Sequence, residues 1–232
     1  SAGAVVTAPW CHPRTRGEAQ ATATLWVVPA VDGSGTALLT DHYELTMLQA
    51  ALAGGSAQRR SVFEVFARRL PEGRRYGVVA GTGRLLSAIE RFRFDDETLA
   101  DLERRRVVDA STLQWLSGYR FGGTIWGYAE GECFFPYSPL LVVEASFAEA
   151  VVLETLILSV LNFDSAVASA ASRMTTAAAS RPCIEMGSRR AHEQAAVAAA
   201  RAAFVAGFAS TSNLEAGRTY GVPTQGTSAH SF

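Results

Sequence analysis

Pro182-Cys183-Ile184-Glu185-Met186-Gly187-Ser188-Arg189-Arg190 reads as a short strand at 182–186 running into a loop of small and basic residues. An alanine-rich helical stretch at about 190–205 follows, and then the pattern returns. A strand at 207–210 gives way to Ser210-Thr211-Ser212-Asn213 and a short helix at about 213–219. A strand at 222–226 then gives way to Gly226-Thr227-Ser228-Ala229-His230. Strand, helix, strand at this spacing is the pattern of parallel βα units. Their right-handed crossovers build either a barrel or an open sheet. The short connections favour a barrel, so the fold class is α/β.

Working back from this array, two long helical stretches are expected at about 147–162 and 164–179. Before them the rhythm is different. Ser61–Arg68 alternates as a strand should, with Val62, Glu64 and Phe66 on one side and Phe63 and Val65 on the other. Leu85, Leu86, Ile89 and Phe92 form one stripe of a helix at about 83–92. The next helix opens with Asp95, Asp96 and Glu97 and closes with Arg104, Arg105 and Arg106, the charge order that a helix dipole favours. Ser111 is expected to cap a short helix ending at Gly118, and strands are expected near 123–129, 132–136 and 140–145. The division that follows is an N-terminal α+β layer domain at 37–145 and the first part of an incomplete βα barrel at 146–232. Residues 1–36, with Pro9, Pro13, Pro29, Gly33 and Gly35 and no sustained period, read as a flexible extension.

Composition narrows the functional classes. Hydrophobic residues at 48% and charged residues at 19% describe an ordinary globular chain, long enough for one large domain or two modest ones. A formal net charge of -1 argues against nucleic-acid binding. Every basic residue other than histidine is arginine, a side chain suited to phosphate. Cys11, Cys133 and Cys183 lie far apart with no CxxC spacing, which excludes a zinc knuckle or a disulfide framework and makes a reducing cytoplasm the expected setting. The apolar stretch Thr155–Phe163 is too short to span a bilayer and is expected to be a buried core helix. Ala21–Val31 has a faint signal-peptide look, but its apolar centre is short and is closed by Pro29.

In βα barrels the loops after the strands build the active site. Here three successive loops offer Ser188, Arg189 and Arg190, then Ser210–Asn213, then Thr227, Ser228 and His230. Hydroxyls and backbone N–H groups at a helix start can cradle phosphate, and arginine can chelate it. The same Ser212 and Asn213 could equally be helix caps, and a cap and a ligand site can coexist. A lone histidine in a turn is by itself more often a surface or packing residue.

Four motifs change that reading: Thr40-Asp41-His42-Tyr43-Glu44-Leu45-Thr46-Met47, Gly187-Ser188-Arg189-Arg190, Thr211-Ser212-Asn213 and Gly226-Thr227-Ser228-Ala229-His230-Ser231-Phe232. In this order and at these intervals, the chain from about Ala37 to Phe232 resembles the nicotinate phosphoribosyltransferase family. The family's second half, with its further phosphate-binding loops, has no counterpart here.

The resemblance implies formation of nicotinate mononucleotide from nicotinate and phosphoribosyl pyrophosphate, coupled to ATP hydrolysis, in NAD biosynthesis. It implies a homodimer with shared active sites and Mg2+ on the phosphates of ATP and phosphoribosyl pyrophosphate. Tyr43 matches a tyrosine that crosses the dimer interface and stacks on the neighbour's nicotinate. Asp41 matches a residue that holds that segment or approaches the ribose phosphate. Arg189 matches the arginine that grips phosphoribosyl pyrophosphate, with Arg190 in support. Thr227 matches a nicotinate contact, and His230 the histidine that ATP phosphorylates. Ser212 stands where the related nicotinamide enzyme carries an aspartate, which suits a carboxylate substrate. Met186 replaces the phenylalanine that usually forms the second face of the nicotinate sandwich, altering the stacking without abolishing it.

Read from the residues alone, Asp41 could be a helix N-cap and Tyr43 a buried first-turn aromatic. Two further readings stand beside the catalytic one. The chain could be a truncated, non-catalytic folding or dimerisation module, or a different phosphate-binding βα enzyme.

Overall fold

The computed structural model describes residues 35–228 and Ser231. The expected extension at 1–36 therefore falls almost wholly outside the described residues, as do the signal-like stretch 21–31 and His230.

Alternating apolar residues build an antiparallel sheet from β1 (Arg60–Val65), β3 (Thr124–Gly127) and β5 (Leu141–Ser146), in the order β1-β5-β3. Phe63 and Ile125 both pair with Val143, whose side chain is almost fully buried. Helices α1 (His42–Ala53), α2 (Thr82–Glu90), α3 (Asp96–Arg104) and α4 (Ala110–Ser117) share a core with this sheet. Leu45, Leu48, Leu85, Leu102, Leu116, Leu141 and Val143 form one continuous core. Phe92, Phe94 and Tyr119 close it in edge-to-face pairs with centroids 5.6 to 6.1 Å apart. The stripe expected on α2 is present, with Leu85, Ile89 and Phe92 buried. The α4 cap is corrected from Ser111 to Asp109: Asp109 Oδ1 accepts from the Thr112 N–H at 2.8 Å, and the Ser111 hydroxyl donates to the same oxygen at 2.9 Å. The carboxylate has the extended backbone that an N-cap needs, while Ser111 is already helical.

The two helices expected at 147–162 and 164–179 are instead a short α5 (Phe147–Val151) and a 25-residue α6 (Glu154–Ala178). Ser146 and Glu149 start α5 with a reciprocal capping box. The break falls at Val152 and Leu153, both fully buried, so packing places it rather than any glycine or proline. Helix α6, about 38 Å long at 1.5 Å per residue, serves both halves of the molecule. Leu156, Ile157, Val160 and Leu161 enter the main core, and Ala168 enters a second cluster with Val78, Ala80 and Ala202. By length and composition alone α6 is apolar enough to cross a bilayer, which the shorter expected stretch was not. Half of its apolar window is buried inside the molecule and it carries a buried ion pair, as a core helix does.

A two-stranded ladder that the sequence pattern half conceals lies on α6. Strand β2 (Gly77–Val78) pairs antiparallel with β4 (Cys133–Phe134). The Val78 N–H donates to Ser169 Oγ at 2.8 Å and the Ala80 N–H to Ser165 Oγ at 3.2 Å. Small serines one helical turn apart let the strand approach and satisfy donors that a sheet would otherwise pair.

The array follows: β6 (Ile184–Glu185), α7 (Glu193–Val205), β7 (Ser210–Thr211), α8 (Leu214–Tyr220) and a single bridging residue, Thr224. Strands β6 and β7 are parallel neighbours, and Thr224 pairs parallel to Thr211 on the next position. The chain is thus a mixed α/β fold with successive parallel βα units at its C-terminal end.

Two ion pairs fasten the elements together across the interior, and the second ties the array to the first layer. Arg84 of α2 holds Asp164 of α6 through Nε at 3.1 Å and a terminal nitrogen at 2.9 Å. Arg201 of α7 grips both oxygens of Glu130, in the β3–β4 connection, at 2.7 Å each. Glu130 also accepts from the Gly81 N–H at 2.6 Å, at the start of α2. Burial pushes the Glu130 carboxyl up, but Arg201 and the backbone donors outweigh it and hold it below the usual carboxylate range. Burial keeps the Asp164 carboxyl above that range, with Arg84 offsetting part of the effect.

Candidate functional site

The loops after β6, β7 and Thr224 lie side by side because their strands are consecutive parallel neighbours. Ser212 N–H donates to the Glu185 carbonyl at 2.8 Å, and Gln225 N–H to the Thr211 carbonyl at 2.9 Å. Side chains then stitch the first two loops together. Thr211, fully buried, donates its hydroxyl to Glu185 Oε2 at 2.6 Å and accepts from the Asn213 N–H at 3.0 Å. Asn213 donates from Nδ2 to Ser188 Oγ at 3.0 Å and caps α8 by accepting from the Ala216 N–H at 2.8 Å. The cap and the loop contact are therefore made by one side chain, Asn213, and Ser212 is left exposed.

Above this stitching stand the residues singled out in the sequence. Arg189 lies in a single 3-10 turn, Ser188–Arg190, and both arginines are exposed with no ion pair among the described residues. Met186 is 42% exposed, enough to offer a face to a ring. Thr227 is exposed on the strand-end segment that follows Thr224. Arg189, Met186 and Ser212 are thus brought together on the two bonded loops, with the Thr227 segment next to them.

Asp41 and Tyr43 are placed elsewhere. They line a cleft of about 670 Å3 walled by β1 and its following loop, by Tyr76 and by α6. Tyr43 is 44% exposed, so its reading as a buried aromatic is corrected: the first turn of α1 points it outward. Its phenol is pushed above its ordinary value by partial burial and by the Glu154 and Glu44 carboxylates, and it stays neutral. Asp41 does occupy the N-cap position of α1, but its side chain makes no capping bond; Oδ2 accepts from the Thr155 hydroxyl at 3.2 Å.

Three functional or supporting groups were missed by sequence reasoning. Glu44, fully buried, accepts from the Thr155 N–H at 2.8 Å and from its hydroxyl at 2.5 Å. It thereby caps α6, whose own N-cap residue Leu153 supplies no side-chain bond, and Thr40 donates to the same carboxylate. The i,i+4 spacing of Thr40 and Glu44 was the only local hint. Arg69 and Arg74 line the cleft beside Tyr43. The run Arg68-Arg69-Leu70-Pro71-Glu72-Gly73-Arg74-Arg75 was the signal that could have found them.

Residues 38–162 match the model of the nicotinate phosphoribosyltransferase (NAPRTase) N-terminal domain. The chain belongs to the nicotinate phosphoribosyltransferase family. It is 64% identical over 195 residues to a nicotinate phosphoribosyltransferase of Mycobacterium tuberculosis, a match covering 84% of this chain and 43% of that protein. To the nicotinate phosphoribosyltransferase of Bacillus subtilis it is 35% identical over 196 residues, covering 84% and 40%. The crystal structure of human nicotinic acid phosphoribosyltransferase superposes with a TM-score of 0.76 at 31% identity, over 83% of this chain and 39% of that one. The chain spans about two-fifths of the length of these nicotinate phosphoribosyltransferases. Asp41 and Tyr43 lie inside the matched N-terminal domain, and the array with Arg189, Ser212 and Thr227 lies after it.

Proposed function

We propose that the protein carrying this chain transfers the phosphoribosyl group of phosphoribosyl pyrophosphate to nicotinate, in the cytoplasm, as a step in NAD biosynthesis. The observation that supports this most is the pair of bonded loops that sets Arg189 and Ser212 side by side at the C-terminal end of a parallel βα array. The ring nitrogen of nicotinate attacks the ribose anomeric carbon with its own lone pair. The bond from that carbon to the pyrophosphate oxygen breaks, and its electron pair leaves with pyrophosphate. No proton moves and no general base is needed, so the protein's work is orientation and charge stabilisation.

Arg189 grips the phosphates, Ser212 and Thr227 donate to the nicotinate carboxylate, and Met186 covers one ring face. ATP phosphorylates His230 and so couples its hydrolysis to turnover. Magnesium belongs on the phosphates of ATP and phosphoribosyl pyrophosphate. The described residues contain no group of three or more His, Cys, Asp or Glu side chains able to hold an ion.

The protein acts as a homodimer in which the cleft bearing Tyr43, Arg69 and Arg74 faces the array loops of the second copy. The cleft that Tyr43 lines takes none of its walls from the array loops, and this, with the exposure of Tyr43, supports that arrangement.

Ser212 and Thr227 present hydroxyl donors with no acidic side chain beside them in sequence. Nicotinate is therefore expected to be used at least tenfold better than nicotinamide in kcat/KM, and equal use of the two in a steady-state comparison would overturn the assignment. Sharing of sites has its own test. Tyr43→Ala protein, weak in nicotinate binding, and His230→Ala protein, uncoupled from ATP, should regain ATP-coupled activity when mixed, because one composite site of the heterodimer is intact. No recovery from heterodimers shown to have formed would place Tyr43 in its own chain's site.

A further inference from the structure

Strand β6 ends on Glu185, and this carboxylate folds back over its own loop. Oε1 accepts from the Gly187 N–H, and Oε2 accepts from the hydroxyl of buried Thr211. A Cβ on Gly187 would lie 2.9 Å from Glu185 Oε1, so the glycine makes room for the carboxylate. Thr211 Oγ1 accepts in turn from the Asn213 N–H, and Asn213 Nδ2 reaches Ser188 Oγ. With the backbone from Gly187 to Ser188, these bonds close a ring: Gly187, Glu185, Thr211, Asn213, Ser188. Arg189 is the next residue along one loop, and Ser212 sits between the two ring members of the other.

We propose that Glu185 is a positioning residue that sets the Arg189 loop against the Ser212 loop. This rests on the phosphoribosyl-transfer reading above. Glu185 touches no substrate. Its charge-assisted bonds fix the backbone from which Arg189 projects. A long arginine side chain has many rotamers to lose on binding, and the Arg189 guanidinium has no partner of its own among the described residues. A fixed base is what keeps its reach to a phosphate short of many alternatives. The ring uses Glu185 as an acceptor at both oxygens, which an amide cannot reproduce, because only its oxygen accepts and its nitrogen can only donate.

The test is a double-mutant cycle on the protein carrying this chain, with phosphoribosyl pyrophosphate as the varied substrate. Glu185→Ala should raise its KM about tenfold with kcat changed less than threefold, and Glu185→Gln should lie between. Arg189→Ala should abolish the sensitivity, so that adding Glu185→Ala to it costs less than twofold more. Amide hydrogen exchange supplies a second readout: Gly187 and Asn213 should be protected in the parent and should exchange at least tenfold faster in Glu185→Ala and in Thr211→Val. Additive effects in the cycle, or unchanged exchange in Glu185→Ala, would overturn the positioning role while leaving phosphoribosyl transfer standing. A parent protein that forms no nicotinate mononucleotide would overturn the reading on which the role depends, whatever the exchange rates show.

Discussion

Arg201→Ala should lower the stability of the folded chain by about 3–5 kcal/mol, the usual cost of stripping one partner from a buried pair. The guanidinium is the main counter-charge of Glu130, both side chains are largely buried, and the three bonds around them join α7 to the start of α2. Without Arg201, Glu130 keeps only backbone donors for a charge that burial disfavours. A fall in Tm on the order of 10 °C follows for a chain of this size. Replacing Glu130 and Arg201 together by apolar residues of similar volume should cost less than Arg201→Ala alone, because no orphaned charge remains. Denaturant titrations of the parent and the two variants decide it, and a loss under about 1 kcal/mol for Arg201→Ala would mean that the pair behaves as a solvated surface contact.

Arg189→Ala should cut kcat/KM for phosphoribosyl pyrophosphate by about 100- to 10,000-fold in the protein carrying this chain. A charge-assisted hydrogen bond is worth about 1.5–3 kcal/mol, a bidentate grip supplies two, and 1.4 kcal/mol is a factor of ten. Arg189 is exposed and unpaired among the described residues, so its removal leaves no buried charge behind and the folded state should hold. Arg189→Lys should restore only part of the loss, since an ammonium cannot reproduce the planar fork. Steady-state kinetics with varied phosphoribosyl pyrophosphate, beside a thermal melt, separates function from folding. A loss below threefold would remove Arg189 from the phosphate site.

The array was legible because the loop after each of its strands carries hydroxyl or basic residues and the first two loops lead into helices, a local pattern that survives into the structure. Helix α3 was legible for the same reason, its charges being ordered along its own axis. What the sequence concealed depends on partners far along the chain. Glu44 reads as a helical surface acid until Thr155, 111 residues later, packs against it. The break between α5 and α6 lies among buried Val152 and Leu153, where no residue type marks a stop. Glu130, Asp164, Arg84 and Arg201 are ordinary charges in the sequence and become a fastening only when four elements meet. The site shows the same division. Arg189 and Ser212 came from motif and spacing, whereas Glu185 and Asn213, which hold them together, required the register of β6 on β7.

The serines of α6 beneath β2 have a consequence for the order of events during folding. Val78 and Ala80 draw on hydroxyls 91 and 85 residues away, so no local hairpin or turn can complete their bonding. Closing so long a loop is entropically unfavourable until other contacts have shortened it. Strand β2 is therefore expected to join late, once α6 has coiled and seated on the main core, and hydrogen-exchange labelling during refolding should find the Val78 and Ala80 amides protected after those of α6.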